Sequence, residues 1–499
     1  MLTMSETLTI GTSGDASFPQ TVKRPRVVML VSNPCTNDTR VIRAAEAVAG
    51  QGFDTIVLAL SNDAETSEER QNGVLFKRIG RPWIRVPPPS TDQKDKRFSL
   101  ADCLSFTVLL CGGRIRIWLV RIGSRSEPKK PTLLRRLAVS ALRSVALLEK
   151  RVKVPSFHDA HLEQIGFLLS DALFPPALLQ ARRMRRTFLE HLIPLKPDIV
   201  HAHDLVMLPT GAAAANALGA KLIYDAHELE VHRNTASGSV DKWLRAYLEG
   251  KYIQQCDTVI TVCDSIADHL AKEYSIERPL VVMNAPDIER QSRSKTDLRS
   301  RLDLSPDIPL TVYVGRITIG RGIEQSIRAL QHLPGYHLAL VGPTHPPTVD
   351  VARRMAEELG VAGRLHVVAP VLPDEVIQFV KSADVSIVPI QNVCLSYYYC
   401  LPNKLLESAL AGLPVVVSNF PELRRFVELS GSGLVMNETD PADIARAIRE
   451  AYENKDRLLS SDDQLACIKE TYGWKKQKKT LDTLYASFAS SRTTDAEGS

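Results

Sequence analysis

A glycine-rich turn follows a short apolar run in the second half of the sequence. Gly315, Gly320 and Gly322 would let the backbone approach a ligand closely, and the helix that follows would favour anions at its N-terminus. Arg316 and Arg321 add two positive charges at this turn, which suits a diphosphate. A Walker loop would require Lys and Ser or Thr after the second glycine, and a dinucleotide fingerprint would read G-x-G-x-x-G. Neither pattern fits, so the turn predicts diphosphate binding, with a plain glycine turn as the alternative.

A second segment with chemical potential begins at a proline. Pro402 and Asn403 fit the start of a helix, and Glu407 would lie on its first turn and a half. That position faces the same cleft as the open backbone amides. We therefore expect a carboxylate close to the glycine-rich turn.

Polar side chains follow two predicted strands of the N-terminal half. They are His201, His203, Asp204, Asp225, His227 and Glu228. Open α/β sheets bind their ligands at the carboxyl ends of parallel strands, so these side chains are candidates for the same cleft. They could in principle ligate a metal, but they belong to separate strand ends and we expect none. The alternative is that they only brace the loops.

A third polar loop follows the first strand. Asn37 or Asp38 can cap the helix predicted to begin near Thr39. Contact with a second substrate through Asp38 or Arg40 is the functional alternative to capping alone.

Four motifs together resemble those of a known family. They are Val314-Gly-Arg316 with Arg321-Gly322, Leu401-Pro-Asn-Lys404 with Glu407, Ala411-Gly-Leu-Pro-Val415, and Asn284-Ala-Pro-Asp287. The chain resembles the retaining glycosyltransferases of GT-B architecture, family 4, the "glycosyl transferases group 1" type. The resemblance covers about residues 26–488, with the insertion described below and both tails outside it.

The resemblance implies roles for individual residues. Arg316 and Arg321 would bind the donor diphosphate, with Arg in place of the usual Lys at the second position, and Glu407 would accept the ribose hydroxyls. His203 would lie beside the donor sugar. Many members carry another Glu eight residues before Glu407, where this chain has Tyr399, so the sugar-contacting role is unassigned. Further implied residues are Gly315, Gly320, Gly322, Asn403 and Lys404 for the donor, and Asp38, Arg40, Asp225, His227 and Glu228 for the acceptor or cleft.

The elements that position these residues follow from length and pattern. The chain has 499 residues, of which 44% are hydrophobic and 24% charged, which excludes collagen-like, wholly disordered and coiled-coil proteins. Short apolar runs alternate with helical patterns, as in repeated βαβ units. We expect two Rossmann-like parallel-sheet domains facing a cleft. The predicted boundaries are 1–22 for a disordered tail, 23–285 for the acceptor domain, 286–470 for the nucleotide-sugar domain, 471–488 for a helix crossing back and 489–499 for a second tail.

A basic insertion interrupts this rhythm at about 81–186, where no convincing strand is predicted. Residues 92–153 contain 15 lysines and arginines against five acidic residues, a local charge of +10. Apolar positions at helical spacing between Thr132 and Val152 predict a basic amphipathic helix. It could be an ordinary packed helix, a surface that docks on anionic lipid, or an RNA contact. No window approaches the ~20 apolar residues of a membrane span.

The eight cysteines are scattered without metal-ligand or redox spacing, as in a reducing cytoplasm. The polar N-terminus is unlike a secretory signal. We therefore expect a cytoplasmic protein, peripheral to the inner membrane face if the insertion binds lipid, and no nucleic-acid partner.

The sequence as a whole predicts retaining, metal-independent transfer of a sugar from a nucleotide-diphosphate sugar to a glycan or lipid-linked acceptor, without a cofactor. A role in surface polysaccharide or glycoconjugate synthesis would fit. Three alternatives remain: a nucleotide-sugar 2-epimerase of the same fold, a catalytically inactive nucleotide-sugar-binding relative, and an NAD-linked oxidoreductase, which the missing fingerprint disfavours.

Overall fold

The computed structural model describes residues 24–81, 106–111, 114–119, 175–234, 239–290, 296–458 and 462–497. The strands in this part of the chain are β1 Arg26–Val31, β2 Asp54–Leu60, β3 Ser67–Gln71, β4 Val74–Ile79, β5 Phe106–Cys111, β6 Arg114–Leu119, β7 Ile199–His203, β8 Lys221–Ala226, β9 Thr258–Thr261, β10 Leu280–Val281, β11 Leu310–Val314, β12 His337–Val341, β13 Leu365–Val368, β14 Val385–Val388, β15 Val415–Ser418 and β16 Gly433–Met436.

The α-helices of the same residues alternate with these strands. They are α1 Thr39–Gly50, α2 Pro175–Leu192, α3 Asp204–Leu218, α4 Ser239–Ile253, α5 Asp264–Tyr274, α6 Leu298–Leu302, α7 Ile323–Ala329, α8 Pro346–Glu358, α9 Val376–Val380, α10 Leu395–Tyr398, α11 Asn403–Leu410, α12 Pro421–Ser430, α13 Pro441–Glu453, α14 Lys455–Leu458, α15 Asp462–Tyr472 and α16 Trp474–Glu497.

The N-terminal domain is built on an eight-stranded sheet of order β10-β9-β8-β7-β1-β2-β4-β3. Its strands pair in parallel except β3, which runs antiparallel to β4 at the edge. The central strands are continuous apolar runs because helices cover both faces of a parallel sheet. The carboxyl ends of β1, β7 and β8 therefore open at one edge, where the polar loops begin.

The C-terminal domain is built on a six-stranded parallel sheet of order β13-β12-β11-β14-β15-β16. The strand order reverses direction at β11, whose neighbours are β12 and β14. A crevice opens at such a switch point in doubly wound sheets. The glycine-rich turn after β11 and the helix α11 both border it.

Helix α16 joins the two domains at their far side. It follows α15 of the C-terminal domain and packs against α1, with Leu481, Leu484 and Tyr485 buried in the N-terminal core. The predicted crossing helix is thus present. It runs to Glu497 rather than ending at 488, because Ala489 continues the packed side of the helix.

The predicted alternation of strands and helices is present in both parallel sheets, and the two-domain fold is confirmed. The sequence did not reveal β3, whose five residues Ser-Glu-Glu-Arg-Gln are all exposed and carry no apolar pattern.

The expectation that 81–186 has no strand is wrong at β5 and β6, which form an antiparallel hairpin. Their alternation at period two, as in Arg-Ile-Arg-Ile of β6, is a strand signal.

Only part of the remaining insertion lies within the described residues. Helix α2 confirms helical structure at its C-terminal end. The predicted amphipathic helix over 132–152 lies outside the described residues, as does most of the basic stretch 92–153 and the predicted tail over 1–22. Within the described ranges, no helix has both the length and the apolar composition that crossing a bilayer requires.

Candidate active site in the interdomain cleft

A pocket of about 390 Å³ lies between the two domains at the switch point of the C-terminal sheet. This volume falls in the range of small-molecule sites. The C-terminal domain contributes Gly315 and the polar side chains of Tyr313, Arg316, Arg321, Asn403, Lys404 and Glu407. The N-terminal domain contributes Asn37, Thr39 and Arg43 from the start of α1. The donor-site residues predicted from two separate motifs therefore line one cavity.

The turn after β11 has the backbone geometry that its glycines suggested. Gly315, Gly320 and Gly322 all have positive φ, at 123°, 80° and 70°. A Cβ at Gly322 would lie 1.9 Å from the carbonyl oxygen of Pro389, so that position admits only glycine. Gly320 and Gly322 shape the turn without lining the pocket, and Gly315 lines it.

Two cationic side chains of the pocket have nitrogen atoms without partners. Nε of Arg321 and Nζ of Lys404 are buried and donate to no hydrogen-bond acceptor among the described residues. The guanidinium of Arg321 stacks 4.5 Å from the ring centre of Tyr397, and Lys404 Nζ lies 4.0 Å from that of Tyr313. Arg316, by contrast, is exposed at the mouth of the turn. Aromatic faces contact both basic groups without supplying a negative charge to pair with them.

Burial perturbs the ionisation of two groups on α11. It lowers the pKa of Lys404 well below its ordinary value, and the nearby charge of Arg321 lowers it further. Burial raises the pKa of Glu407 to about 7, partly offset by the charges of Arg43 and Lys404. Perturbed groups that converge in a cleft mark a candidate functional site.

The far wall of the pocket is apolar. Its residues are Val341, Pro343, Pro370, Val371, Pro373 and Val376. The same pocket also contains Glu407 and the cationic turn. It therefore combines apolar surface, a carboxylate and positive charge.

The polar residues of the N-terminal strand ends form a separate, buried cluster. Arg40 donates two hydrogen bonds to Asp225, from Nε at 2.9 Å and from Nη2 at 2.5 Å. Burial alone would raise the pKa of Asp225, but Arg40 and His227 hold it well below its ordinary value. Both residues of the pair are almost fully buried. Arg40 is therefore committed to the fold rather than free to meet a substrate.

Three histidines surround Asp225. His203 Nδ1 lies 3.2 Å from Asp225 Oδ2 and 3.1 Å from His227 Nε2. The ring of His203 stacks on that of His201 at 4.2 Å, and His201 Nδ1 is hydrogen-bonded to the Tyr485 hydroxyl at 2.8 Å. Nε2 of His203 is buried without a partner in the described part of the chain. The structure places His203 beneath the cleft surface rather than on the wall of the pocket.

A metal ion fits this cluster poorly. Ligand atoms of His201, His203 and Asp225 do lie within 4.8 Å of one another. However, the guanidinium of Arg40 already binds both carboxylate oxygens of Asp225. A cation added here would face a fixed positive charge at contact distance.

The remaining predicted cleft residues have defined places. Asp38 is the N-cap of α1 and accepts from the Val41 amide at 3.3 Å, which is the capping alternative. His227 bridges Asp204 at 3.3 Å and Asp225 at 3.4 Å. Glu228 reaches across to the C-terminal domain, where Ser396 donates to it at 3.4 Å.

Several residues that line the pocket, chiefly Arg43 and Tyr313, belong to none of the motifs recognised in the sequence. Arg43 lies one helical turn after Thr39 on α1, so the spacing of residues around the predicted cap could have indicated it. Its guanidinium also donates to the carbonyl of Ala285 at the domain seam. Burial lowers the pKa of Arg43, opposed by Asp287 and Glu407.

The fold and the pocket define a two-domain GT-B protein. The profile for "Glycosyl transferases group 1" matches residues 294–473, and that for "Glycosyltransferase Family 4" matches residues 139–290. The chain belongs to the GT-B glycosyltransferases of the family 4 type, as the resemblance implied.

Individual relatives are distant. The chain is 26% identical over 308 residues to a D-inositol 3-phosphate glycosyltransferase of Geodermatophilus obscurus and 28% identical over 292 residues to one of Acidothermus cellulolyticus. These matches cover 58% and 55% of this chain and 66% and 62% of the relatives, which is less than two thirds of their length.

Solved structures share the fold over most of the chain. Sucrose-phosphate synthase from Thermosynechococcus elongatus has a TM-score of 0.64 at 16% identity and covers 94% of this chain and 100% of its own. HepE from Anabaena, solved in complex with UDP, has a TM-score of 0.56 at 13% identity and covers 93% of this chain and 100% of its own.

Proposed function

We propose that the protein transfers a sugar from a nucleotide-diphosphate sugar to a hydroxyl of a glycan or lipid-linked acceptor, with retention of the anomeric configuration and without a bound metal. The observation that carries this proposal is that two basic side chains, Arg321 and Lys404, each have a buried nitrogen atom without a hydrogen-bond partner among the described residues, and that both line one pocket with Glu407. The oxygen atoms of a donor diphosphate would supply the negatively charged hydrogen-bond acceptors that these nitrogen atoms lack.

The chemistry follows from where charge develops. As the bond between the anomeric carbon and the diphosphate oxygen breaks, negative charge grows on the diphosphate, beside Arg316 and Arg321. Cations fixed there stabilise the transition state more than the ground state. The acceptor hydroxyl then bonds to the anomeric carbon on the same face, and its proton passes to the departing diphosphate oxygen. This route requires neither a covalent intermediate on the protein nor a metal to shield the diphosphate.

The donor end of the proposal is supported by the kinds of surface in the pocket. The apolar wall would suit a nucleobase, and Glu407 would accept hydrogen bonds from ribose hydroxyls. UDP is the first nucleotide to test, because HepE binds it. The acceptor is open. Inositol phosphate is one candidate, since the relatives named above act on D-inositol 3-phosphate, and lipid-linked glycans are another.

The test begins with binding. Calorimetric titration with UDP, GDP and ADP in the presence of EDTA should find one diphosphate that binds, and the corresponding nucleotide-sugars should then be consumed only when an acceptor is present. NMR of the product should give the same anomeric configuration as the donor. Consumption of the donor without an acceptor would favour a nucleotide-sugar 2-epimerase. Donor binding without turnover would favour a catalytically inactive relative. Activity that EDTA abolishes and Mn²⁺ restores would contradict the metal-independent route.

A further inference from the structure

Helix α10 carries no acidic residue, although it lies next to the proposed diphosphate site. The segment from Leu395 to Pro402 reads Leu-Ser-Tyr-Tyr-Tyr-Cys-Leu-Pro, and Tyr397 within it holds the guanidinium of Arg321. Hydroxyl groups of a sugar are commonly bound by carboxylates, which accept strong hydrogen bonds. If the C-terminal domain supplies none here, the carboxylate must come from the opposite side of the cleft.

The N-terminal domain approaches α10 at this place. The 3-10 turn Glu230–His232 packs against α10. Asn234 comes so close to the glycine-rich turn that its side-chain nitrogen would lie 3.0 Å from a Cβ on Gly320. Residues 228–234 therefore lie next to α10 and the glycine-rich turn.

Glu228 is a partly exposed carboxylate at this junction. Its Oε2 accepts from the hydroxyl of Ser396 at 3.4 Å, across the domain boundary, and its Oε1 lies 3.1 Å from Nε of Arg233. The side chain is 35% exposed, so it is both oriented and accessible. The long contact to Ser396 leaves Oε2 free to take a better donor.

Neighbouring carboxylates are committed elsewhere. Glu230 is buried between Arg233 and Arg245, with contacts of 3.1 and 2.8 Å. Asp225 is bound by Arg40 on both oxygens. Burial raises the pKa of Glu228 and Arg233 opposes that rise, as expected for a carboxylate near the inside of the cleft.

A nucleotide-sugar is a linear ligand, and its order fixes where the sugar lies. With the ribose at Glu407 and the diphosphate at Arg321, the sugar would lie on the other side of the diphosphate from the ribose. The guanidinium of Arg321 contacts Tyr397, the neighbour of Ser396, and Ser396 contacts Glu228, so Glu228 lies next to the diphosphate site. We propose that Glu228 binds hydroxyl groups of the transferred sugar from the N-terminal domain, oriented by Arg233 and Ser396, and thereby selects the sugar. This inference rests on the proposed function and deepens it.

The experiment compares a nucleotide with its nucleotide-sugar. Calorimetry without acceptor would measure UDP, UDP-glucose, UDP-galactose and UDP-N-acetylglucosamine, or the series of whichever diphosphate binds, on the full chain and its E228Q variant. E228Q should bind the nucleotide within about twofold of the original affinity, while the preferred nucleotide-sugar loses about 10- to 100-fold, as expected when a charged hydrogen-bond acceptor is removed. The preference among sugars should shrink with it.

Controls separate this role from a structural one. Glu273→Gln, a change at an exposed position of α5, should leave all affinities unchanged. Glu228→Asp keeps the negative charge and should therefore keep part of the nucleotide-sugar affinity that Glu228→Gln loses. Retained nucleotide binding shows that the variant is folded. Equal losses for nucleotide and nucleotide-sugar, or no loss for either, would overturn the assignment of Glu228. A wild-type chain that binds no nucleotide at all would overturn the proposed function and this inference together.

Discussion

The two sides of the cleft differ in how their charges are satisfied. On the C-terminal side, Arg321 and Lys404 have buried nitrogen atoms without partners in the described residues. On the N-terminal side, charges occur in closed sets, such as Arg40 with Asp225 and Glu230 with two arginines. Buried charges without partners are costly unless a ligand compensates them. The C-terminal side is therefore built to receive an anion, and most of the N-terminal charges hold a shape.

Breaking the buried Arg40–Asp225 ion pair should have the largest effect on the free energy of unfolding. Asp225→Asn leaves the buried guanidinium of Arg40 beside a neutral amide, and loss of one partner of a buried ion pair costs about 3 to 5 kcal/mol. Urea unfolding followed by circular dichroism should show a clearly lower transition midpoint. Glu190→Gln, which removes a surface partner of Arg186, is the control and should change stability by less than about 0.5 kcal/mol. Equal midpoints for Asp225→Asn and the wild type would mean that this cluster does not support the fold.

The C-terminal side should respond in activity rather than in stability. Arg321→Ala removes a charge placed for the leaving diphosphate, so turnover should fall by about 10²- to 10³-fold. Arg328→Ala is the control. Arg328 is exposed on α7, the helix that follows the glycine-rich turn, so this variant should retain turnover within about twofold. Initial rates of nucleotide diphosphate release measure both. An Arg321→Ala variant with normal turnover would remove the contrast between the two sides.

The smallest effect tests the ionisation of Glu407. Its pKa of about 7 lies above that of an ordinary Glu, so the carboxylate is mostly protonated in the free protein at pH 6 and mostly ionised at pH 8. If ribose hydroxyls bind the ionised form, nucleotide affinity should rise roughly tenfold from pH 6 to pH 8 and level off above. Adenosine-, guanosine- or uridine-diphosphate titration at both pH values measures it.

Glu407→Gln is the matched variant for that experiment. The nucleotide phosphate also titrates in this range, so part of the pH dependence belongs to the ligand. That part should persist in Glu407→Gln, and the rest should disappear. If Glu407→Gln and the wild type have the same pH profile of nucleotide affinity, ionisation of Glu407 is not coupled to binding.

The local parts of the site were predictable, because they are encoded by neighbouring residues. The strand, the glycines and the arginines from Gly315 to Gly322 form one continuous pattern, and Pro402 marks the start of α11. The partners of distant residues were not predictable in this way. Arg40 pairs with Asp225 across 185 positions, and no local spacing indicates which carboxylate it will meet.

The same limit applies to the surroundings of His203. Its position at the end of β7 did not indicate that the His201 ring and Asp225 would enclose it, and its role beside a donor sugar stays a prediction. β3 was missed for a different reason. It has no apolar side chain, and backbone pairing with β4 holds it at the sheet edge.

The crossing of α16 has a consequence for how the protein is made. Leu481 and Tyr485 complete the core under β1 and β2, yet about 190 residues separate β10 from the start of α16. At 5 to 20 residues per second, a ribosome needs about 10 to 40 s to synthesise that interval. During this time the N-terminal sheet has an uncovered apolar surface. We expect chaperones that recognise nascent chains to bind it until α16 has emerged.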